Sequence, residues 1–220
     1  MFNIVEIFDS IEGEGVRTGQ LATFVRLAGC NLRCSYCDTP YAHSFGIGDS
    51  MTTEDIISKL ITIGNKNVTI TGGEPLGRPG IVDLVKALVE RGFEVNIETN
   101  GSKELDKFFE DSFDVIVTMD YKLPSSGMEE SMCLENFDKL QNKDVLKFVV
   151  GSEEDLTSIK YILENRYKNY VNIYLSPIFG SMDPKRLVEF AKELRHMEFS
   201  NVTVQVQLHK IIWPVDMRGV

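Results

Sequence analysis

The chain has 220 residues, of which 43% are hydrophobic, and its formal net charge is −10. This length suffices for one sizeable hydrophobic core, so a single domain is the simplest organisation. The acidic balance argues against a broad nucleic-acid surface, which needs clustered Lys and Arg, but it allows a local basic pocket for a small anion.

No apolar run reaches the roughly 18 residues that a membrane-spanning helix needs. The first eight residues contain an early Glu and no basic segment, so we expect a strand there and not a signal peptide. The predicted compartment is therefore the reducing cytoplasm. In that compartment the four cysteines are expected to be thiols or metal ligands, not disulfides.

The first half of the chain predicts two strands followed by strand–helix units. In chain order, these are strands at 3–8 and 22–27, a helix from Thr52 or Thr53 to about Ile63, a strand at 67–71, a helix with Pro79 in its first turn, and a strand at 93–98. The strand segments are rich in Val, Ile and Phe, whereas the helices show apolar residues at helical spacing.

The second half continues the alternation. In chain order, we predict a helix at 102–111, a strand at 114–118, an irregular loop at 123–131, a helix, a strand at 145–150, a helix, a strand at 171–175, a helix at 184–196 and a strand at 202–208 before the tail. Alternation at this spacing predicts an α/β fold with a mostly parallel sheet, whose ligands bind at the carboxyl ends of the strands. Three segments that follow strands, 29–38, 72–75 and 99–101, are therefore expected to meet there.

Three cysteines, Cys30, Cys34 and Cys37, lie within eight residues. A loop with this spacing can place three thiolates around one metal centre, and soft thiolates select zinc, Cu(I) or an iron–sulfur cluster. A structural zinc site normally has four protein ligands, so three thiols favour a cluster with one iron free to bind a small molecule. Zinc, with His43 as a possible fourth ligand, is the alternative. Cys133 is distant in sequence and is expected to be a free thiol.

The Cys-x-x-x-Cys-x-x-Cys loop, with Tyr36 before its last cysteine, is followed one βα unit later by Thr-Gly-Gly-Glu-Pro at 71–75. Together these motifs resemble the radical S-adenosylmethionine superfamily. The resemblance implies an incomplete radical-SAM βα barrel over residues 1–220, a 4Fe–4S cluster on the three cysteines, and S-adenosylmethionine bound to its free iron. Reductive cleavage of that cofactor yields a 5′-deoxyadenosyl radical, and the Gly-Gly-Glu-Pro motif holds the methionine ammonium group, where a Glu suits a cation.

Four further segments narrow the resemblance. They are 9–15 (Asp-Ser-Ile-Glu-Gly-Glu-Gly), 23–30, Asp38-Thr39, and 205–210 with the tail that ends Arg218-Gly219-Val220. They resemble the 7-carboxy-7-deazaguanine synthase family, which contracts the ring of 6-carboxy-5,6,7,8-tetrahydropterin with loss of ammonia, in queuosine and deazapurine biosynthesis. The resemblance implies hydrogen abstraction at C6, a regenerated cofactor, Mg2+, a homodimer, and an electron donor such as flavodoxin or ferredoxin. From the acidic charge and the lack of a long apolar run, we expect no nucleic-acid or membrane partner.

The resemblance also assigns roles to individual residues. The implied substrate contacts are Ile11, Glu12, Gly13, Arg26, Thr71, His209 and Val220. The implied S-adenosylmethionine contacts are Tyr36, Cys37, Asp38, Gly73, Asp120, Tyr121, Lys122, Ser176 and Pro177. Thr39 is the implied Mg2+ ligand, Arg26 is the implied partner of the substrate carboxylate, and Glu98 either reaches the ribose or stabilises the fold. The chain departs from the family pattern in two places: many members have Gln at the position of Glu12, and Ser-Pro-Lys is common near Lys122.

Each assignment has an ordinary structural alternative. Glu12 could belong to a plain acidic loop, Arg26 could face solvent from its strand, and Thr39 could cap the turn before Pro40. His209 could be an ordinary strand-end residue. Two other functions also fit parts of the sequence: an activase that forms a glycyl radical on a protein partner, and a zinc- or cluster-binding interaction module.

Overall fold

The computed structural model describes residues 1–105, 114–167 and 170–220. The strands are β1 (Phe2–Ile11), β2 (Leu21–Leu27), β3 (Asp49–Met51), β4 (Asn67–Gly72), β5 (Glu94–Thr99), β6 (Ile116–Tyr121), β7 (Val145–Val150), β8 (Asn172–Pro177) and β9 (Val202–Val204). The α-helices within these ranges are α1 (Thr53–Ile63), α2 (Ile81–Glu90), α3 (Glu153–Arg166), α4 (Pro184–His196) and α5 (Leu208–Ile212).

The strands form one open sheet in the order β3-β1-β2-β4-β5-β6-β7-β8-β9. From β2 to β9 every neighbouring pair is parallel. At one edge, β1 pairs antiparallel with both β2 and β3. The expected mostly parallel α/β sheet is therefore present, and its two free edges leave the barrel incomplete.

Local sequence explains where the main helices begin. Thr52 caps α1 and Ser152 caps α3, each in a capping box with an Asp three residues later. These reciprocal bonds satisfy backbone N–H groups that a helix start would otherwise leave without partners. Pro184 occupies the first turn of α4, where its missing N–H costs nothing.

The two faces of the sheet differ in polarity, and the polar face is the one that can form a binding site. Alternate side chains of β4 to β7 are apolar and pack against the helices, forming two buried clusters. The intervening positions carry polar groups on the opposite face: Thr69, Thr71, Asn96, Glu98, Thr118, Asp120 and Lys147. A buried polar face of this kind is costly unless its groups are paired or serve a ligand.

Several expected elements differ from the structure. Gly80 precedes α2, so Pro79 lies before the helix and not in its first turn. The helix expected before β7 is a short 3-10 turn, Leu134–Asp138, in which the Asn136 side chain binds backbone groups of residues 101–105 instead of facing solvent.

The last expected strand is also shorter. It ends at Val204, and a separate short helix, α5, begins at Leu208. The Gln205 side chain accepts a hydrogen bond from Gly15 N and donates one to Ser176 Oγ. After these contacts the chain leaves the sheet and runs towards the cavity. The helix expected at 102–111 falls largely outside the described residues. Within the described ranges, no helix is long and apolar enough to span a membrane.

Candidate active site

A cavity of about 290 Å³ lies against the polar face of the sheet and the carboxyl ends of its strands. Its walls come from the loop after β1, the cysteine loop after β2, the glycine-rich turn after β4, the ends of β5 to β7, and the C-terminal tail. The three segments that we expected to converge do so here, as parallel strands require.

The cysteine loop is fixed by backbone hydrogen bonds to the turn that follows it. Gly29 N donates to Ala42 O at 2.7 Å and Cys30 N donates to His43 O at 3.1 Å. Cys30, Cys34 and Cys37 all line the cavity. Burial raises the pKa values of Cys30 and Cys34, and nearby carboxylates and then neighbouring thiols raise them further.

The three thiols border a shared space and do not meet at a point. Among the described residues, no three His, Cys, Asp or Glu side chains are grouped closely enough to hold a single metal ion. His43 Nε2 lies 3.2 Å from Cys37 Sγ, so the histidine contacts that thiol. Tyr36 OH and Asp120 Oδ1 in the same cavity are buried without a hydrogen-bond partner. This donor set fits a thiolate-held cluster with a polar ligand beside it.

The Gly-Gly-Glu-Pro turn packs directly on the cysteine loop. A Cβ on Gly73 would lie 2.1 Å from Gly29 O, so only glycine allows the two backbones to approach this closely. The role of this motif in holding the methionine ammonium group stays a prediction, and the structure gives Glu74 a structural role. Its buried carboxylate lies outside the cavity lining and accepts bonds from Leu76 N, Thr99 Oγ1 and Asn100 N, so it ties this turn to the end of β5.

A buried charge network forms the cavity floor. Lys147 Nζ lies 2.9 Å from Glu14 Oε2 and 3.6 Å from Asp120 Oδ2, and Lys122 Nζ lies 3.1 Å from the same Asp120 oxygen. Burial alone would raise the pKa of Glu14, but Lys147 and hydrogen bonds from Ser176 and Gln207 lower it to about 2. Glu14 is therefore ionised, and its Oε1 is buried without a partner and available to a ligand donor.

Glu12 and Glu98 lie close together above β4. Thr69 Oγ1 donates to Glu12, and Thr71 Oγ1 donates to Glu98 Oε2 at 2.7 Å. Burial, followed by repulsion from Glu98, raises the pKa of Glu12 to about 7. Glu12 is 2% exposed, so the alternative that it belongs to a plain acidic surface loop is wrong. Near neutral pH it exists in both protonation states.

Arg26 lies at the cavity wall and does not face solvent. Its Nε donates to Glu6 Oε1 at 2.6 Å, and its guanidinium lies 5.6 Å from the centre of the Phe8 ring. Phe8 in turn stacks on Phe24 at 5.0 Å. A cation held over the ring of a stacked aromatic pair at the wall of a cavity is a suitable anchor for a carboxylate.

The C-terminal tail closes one side of the cavity, which residues 215–220 line. Lys210 Nζ pairs with Asp38 Oδ2 at 3.0 Å, and the Arg218 guanidinium lies 3.7 Å from the centre of the Tyr41 ring. A Cβ on Gly13 would lie 2.2 Å from His209 Nδ1, so the first loop and α5 also touch. The tail is thus attached to the cysteine loop and to the loop after β1.

Comparison with known proteins agrees with this site. The radical SAM superfamily profile matches residues 25–121. A 7-carboxy-7-deazaguanine synthase from Clostridium acetobutylicum is 46% identical over 100% of this chain and 99% of the relative. One from Chlorobaculum tepidum is 39% identical, with coverage of 99% and 97%. The chain belongs to the 7-carboxy-7-deazaguanine synthase family. The crystal structure of QueE from Escherichia coli superposes with a TM-score of 0.71 at 25% identity, covering 93% of each chain.

Membership of the 7-carboxy-7-deazaguanine synthase family confirms the resemblance, the fold class and the enzyme class expected from the sequence. As a radical SAM enzyme of the lyase type, the chain uses a 4Fe–4S cluster and S-adenosylmethionine, acts on a small molecule and needs a reductant. The three thiols of the cavity suit such a cluster, and they lie beside polar groups that suit the cofactor.

Most of the residues expected from the family resemblance line the cavity. They are Ile11, Glu12, Gly13, Arg26, Cys30, Cys34, Tyr36, Cys37, Asp38, Thr39, Thr71, Gly73, Asp120, Lys122, His209 and Val220. Glu98 lines it too, although the hydrogen bond from Thr71 also gives Glu98 a structural role. The structure does not place Cys133 there; its Sγ lies 3.4 Å from Glu135 Oε2.

The structure does not bring Tyr121, Ser176 and Pro177 into the cavity lining. The Tyr121 side chain is 5% exposed and packs against Phe137 and Phe148 in the core, because strand alternation turns it away from Asp120 and Lys122. Ser176 is fully buried and accepts a hydrogen bond from Gln205 Nε2 at 3.2 Å, so it lies behind the cavity wall and not in it.

The sequence interpretation missed Glu14 and Lys147. Lys147 had a visible signal, since it is a lone charge in the apolar run Val-Leu-Lys-Phe-Val-Val of β7. A buried lysine in a strand core needs an anionic partner. Which carboxylate supplies it depends on the loop after β1, which no local pattern specifies.

Proposed function

We propose that this chain converts 6-carboxy-5,6,7,8-tetrahydropterin to 7-carboxy-7-deazaguanine with loss of ammonia, on the route to queuosine and related deazapurines. The single observation that carries the proposal is that one cavity is lined both by Cys30, Cys34 and Cys37 and by the Arg26 guanidinium. Cluster chemistry and recognition of a small anion therefore meet in the same space, within a chain of this family.

The three cysteines would hold the cluster, and the groups beside them would hold S-adenosylmethionine. When bound, the cluster and S-adenosylmethionine together would supply a carbon radical that abstracts hydrogen from the substrate. Tyr36, Cys37, Asp38, Gly73, Asp120 and Lys122 line the cavity next to the thiols and are our proposed cofactor contacts. The tail and the loop after β1 would exclude water from the radical, since both border the cavity.

The substrate would be oriented by its carboxylate and its pterin edge. Arg26 offers guanidinium N–H donors to the carboxylate, as its fork geometry favours. Ile11, Glu12, Gly13, Thr71, His209 and Val220 surround the remaining volume. Burial lowers the pKa of His209, which favours the neutral imidazole and leaves one nitrogen able to accept a hydrogen bond from the pterin.

We propose that Thr39 would supply a ligand to a Mg2+ ion that helps to orient the substrate. Thr39 Oγ1 makes no capping bond to the turn that follows it and lies 3.8 Å from Cys37 Sγ. The absence of that bond weighs against the turn-capping alternative. Mg2+ prefers oxygen ligands and often uses substrate oxygens in place of a full protein cage. One hydroxyl together with a substrate carboxylate and carbonyl meets that preference.

Three further features complete the proposal. We propose that a small one-electron carrier such as flavodoxin or ferredoxin delivers the electron. We also propose that the chain works in the reducing cytoplasm as a homodimer, without a nucleic-acid or membrane partner. The support is the family and the four free thiols, because free thiols are typical of a reducing compartment.

The test is anaerobic reconstitution with iron and sulfide, then incubation with 6-carboxytetrahydropterin, S-adenosylmethionine, Mg2+ and a reductant. The expected result is 7-carboxy-7-deazaguanine and ammonia in equal amounts. If the protein carries its cluster and cleaves the cofactor but converts no 6-carboxytetrahydropterin, the proposed substrate is wrong. Formation of a glycyl radical on a partner protein would support the activase alternative.

A further inference from the structure

Glu6 stands behind the Arg26 side chain. The two residues are direct partners across the antiparallel pair β1 and β2, and the register of that pair shifts between Ile4 and Glu6. The shift brings Glu6 opposite Arg26. Both side chains are largely buried, with exposed fractions of 19% and 15%. Arg26 lines the cavity but Glu6 does not, so the carboxylate approaches the guanidinium from the side away from the cavity.

The contact involves one particular nitrogen of Arg26. Within the described chain, the structure gives Arg26 a single hydrogen bond, from Nε to Glu6 Oε1 at 2.6 Å. A guanidinium carries five N–H donors in a planar fork, and four of them are on the two Nη atoms. Because Glu6 occupies Nε, the Nη donors are left for an end-on, two-point contact with a carboxylate.

Glu6 is itself held by a second donor. Tyr41 OH donates to the same Oε1 at 3.0 Å. The face of the Tyr41 ring is covered by the guanidinium of Arg218, 3.7 Å from the ring centre. A continuous path of contacts therefore joins the C-terminal tail to Arg26 through Tyr41 and Glu6.

We propose that Glu6 and Tyr41 are positioning residues that aim the Arg26 fork at the substrate carboxylate, and that the seated tail reinforces this geometry through Arg218. The inference rests on the proposed function, because it takes Arg26 as the anchor of a carboxylate. It differs from simple charge pairing. If Glu6 merely neutralised Arg26, it would compete with the substrate, and its removal would strengthen anion binding.

The test measures ligand binding without turnover, in anaerobic protein that carries its cluster and S-adenosylmethionine but no reductant. The two probes are 6-carboxypterin and pterin, which differ in the carboxylate. Glu6→Leu should weaken 6-carboxypterin about tenfold and leave pterin unchanged, since a misaligned fork loses one charged hydrogen bond. Glu6→Gln keeps an acceptor for Nε and should stay within about twofold of the parent protein for both probes.

Tyr41→Phe keeps the ring under Arg218 and removes only the bond to Glu6, so it should weaken 6-carboxypterin about threefold. In Glu6→Leu or Arg26→Ala backgrounds the same change should have no further effect, as expected for residues that act through one group. The matched control is Glu54→Leu. It removes an exposed carboxylate of α1 that pairs with Arg91, and it should not change the affinity for either probe.

Each outcome decides between explanations. Stronger or unchanged 6-carboxypterin binding in Glu6→Leu overturns the positioning role, as do equal losses for both probes. A silent Tyr41→Phe overturns the path to the tail. If Arg26→Ala keeps its preference for the carboxylated probe, the substrate anchor of the proposed function fails and this inference fails with it. Loss in Arg26→Ala without loss in Glu6→Leu overturns the positioning role alone.

Discussion

Lys147 Nζ lies 2.9 Å from Glu14 Oε2, and both side chains are about nine-tenths buried. This ion pair joins the middle of β7 to the loop after β1, which are 133 residues apart in sequence. Burial alone would lower the pKa of Lys147, yet Glu14 and then Asp120 raise it well above its ordinary value. The lysine is therefore charged, and it holds the loop over the cavity floor.

Lys147→Met should destabilise the fold strongly, because it leaves Glu14 and Asp120 buried without their cation. Removing one partner of a buried pair typically costs about 3–5 kcal/mol. Equilibrium urea unfolding measures the change. Lys192→Met, which removes an exposed pair with Glu189, is the matched control and should change the free energy of unfolding by less than about 1 kcal/mol. Equal losses in the two variants would contradict the buried network.

Glu12→Gln should reveal the titration of a buried carboxyl. The pKa of Glu12 is about 7 in the folded chain and ordinarily 4.5. A raised folded pKa means that Glu12 favours folding below pH 4.5 and that this contribution is lost as the pH rises through 7. The variant has no such titration. Its free energy of unfolding should therefore rise relative to that of the parent protein between pH 5 and pH 8, by up to about 3 kcal/mol. Glu164→Gln on the exposed face of α3 should show no such gain, and a pH-independent difference for Glu12→Gln would refute the assigned pKa.

Alanine at Cys30, Cys34 or Cys37 should abolish iron–sulfur absorbance and cleavage of S-adenosylmethionine. Each thiol borders the shared space, and the described residues that line it include no fourth cysteine. Cys133→Ala is the control and should leave both signals intact, since its thiol lies outside that lining. Visible absorbance and quantified 5′-deoxyadenosine are the readouts. A full signal in one of the first three variants would remove that cysteine from the ligand set.

Thr39→Val should keep the cluster and cofactor binding but lose most Mg2+ stimulation of turnover, because it replaces the hydroxyl with a methyl group of similar size. Thr39→Ser retains an oxygen ligand and should retain the stimulation. Titration of turnover against Mg2+ measures both. An unchanged Mg2+ dependence in the valine variant would show that Thr39 is not a ligand.

Sequence alone predicted the parallel sheet, because β-branched runs and capped amphipathic helices are local signals. It also predicted the cysteine loop and the turn at 72–75, whose motifs are contiguous. Strand parity explains one misplacement: if Asp120 and Lys122 face the cavity, Tyr121 must face the core, and this rule was applicable before the structure was known.

Other features depended on long-range packing. The register shift that sets Glu6 against Arg26 has no sequence signal of its own, and neither has the pairing of Glu14 with Lys147. The bonds of Glu74 to the end of β5 likewise depend on how two loops meet. Such contacts are fixed by the assembled sheet and not by any local propensity.

The most direct test of the central claim is product analysis by mass spectrometry, with 6-carboxytetrahydropterin in large excess over S-adenosylmethionine. The account predicts 7-carboxy-7-deazaguanine in an amount that exceeds the cofactor supplied, because the cofactor is regenerated at each turnover. Cofactor cleavage without any 7-carboxy-7-deazaguanine would contradict it.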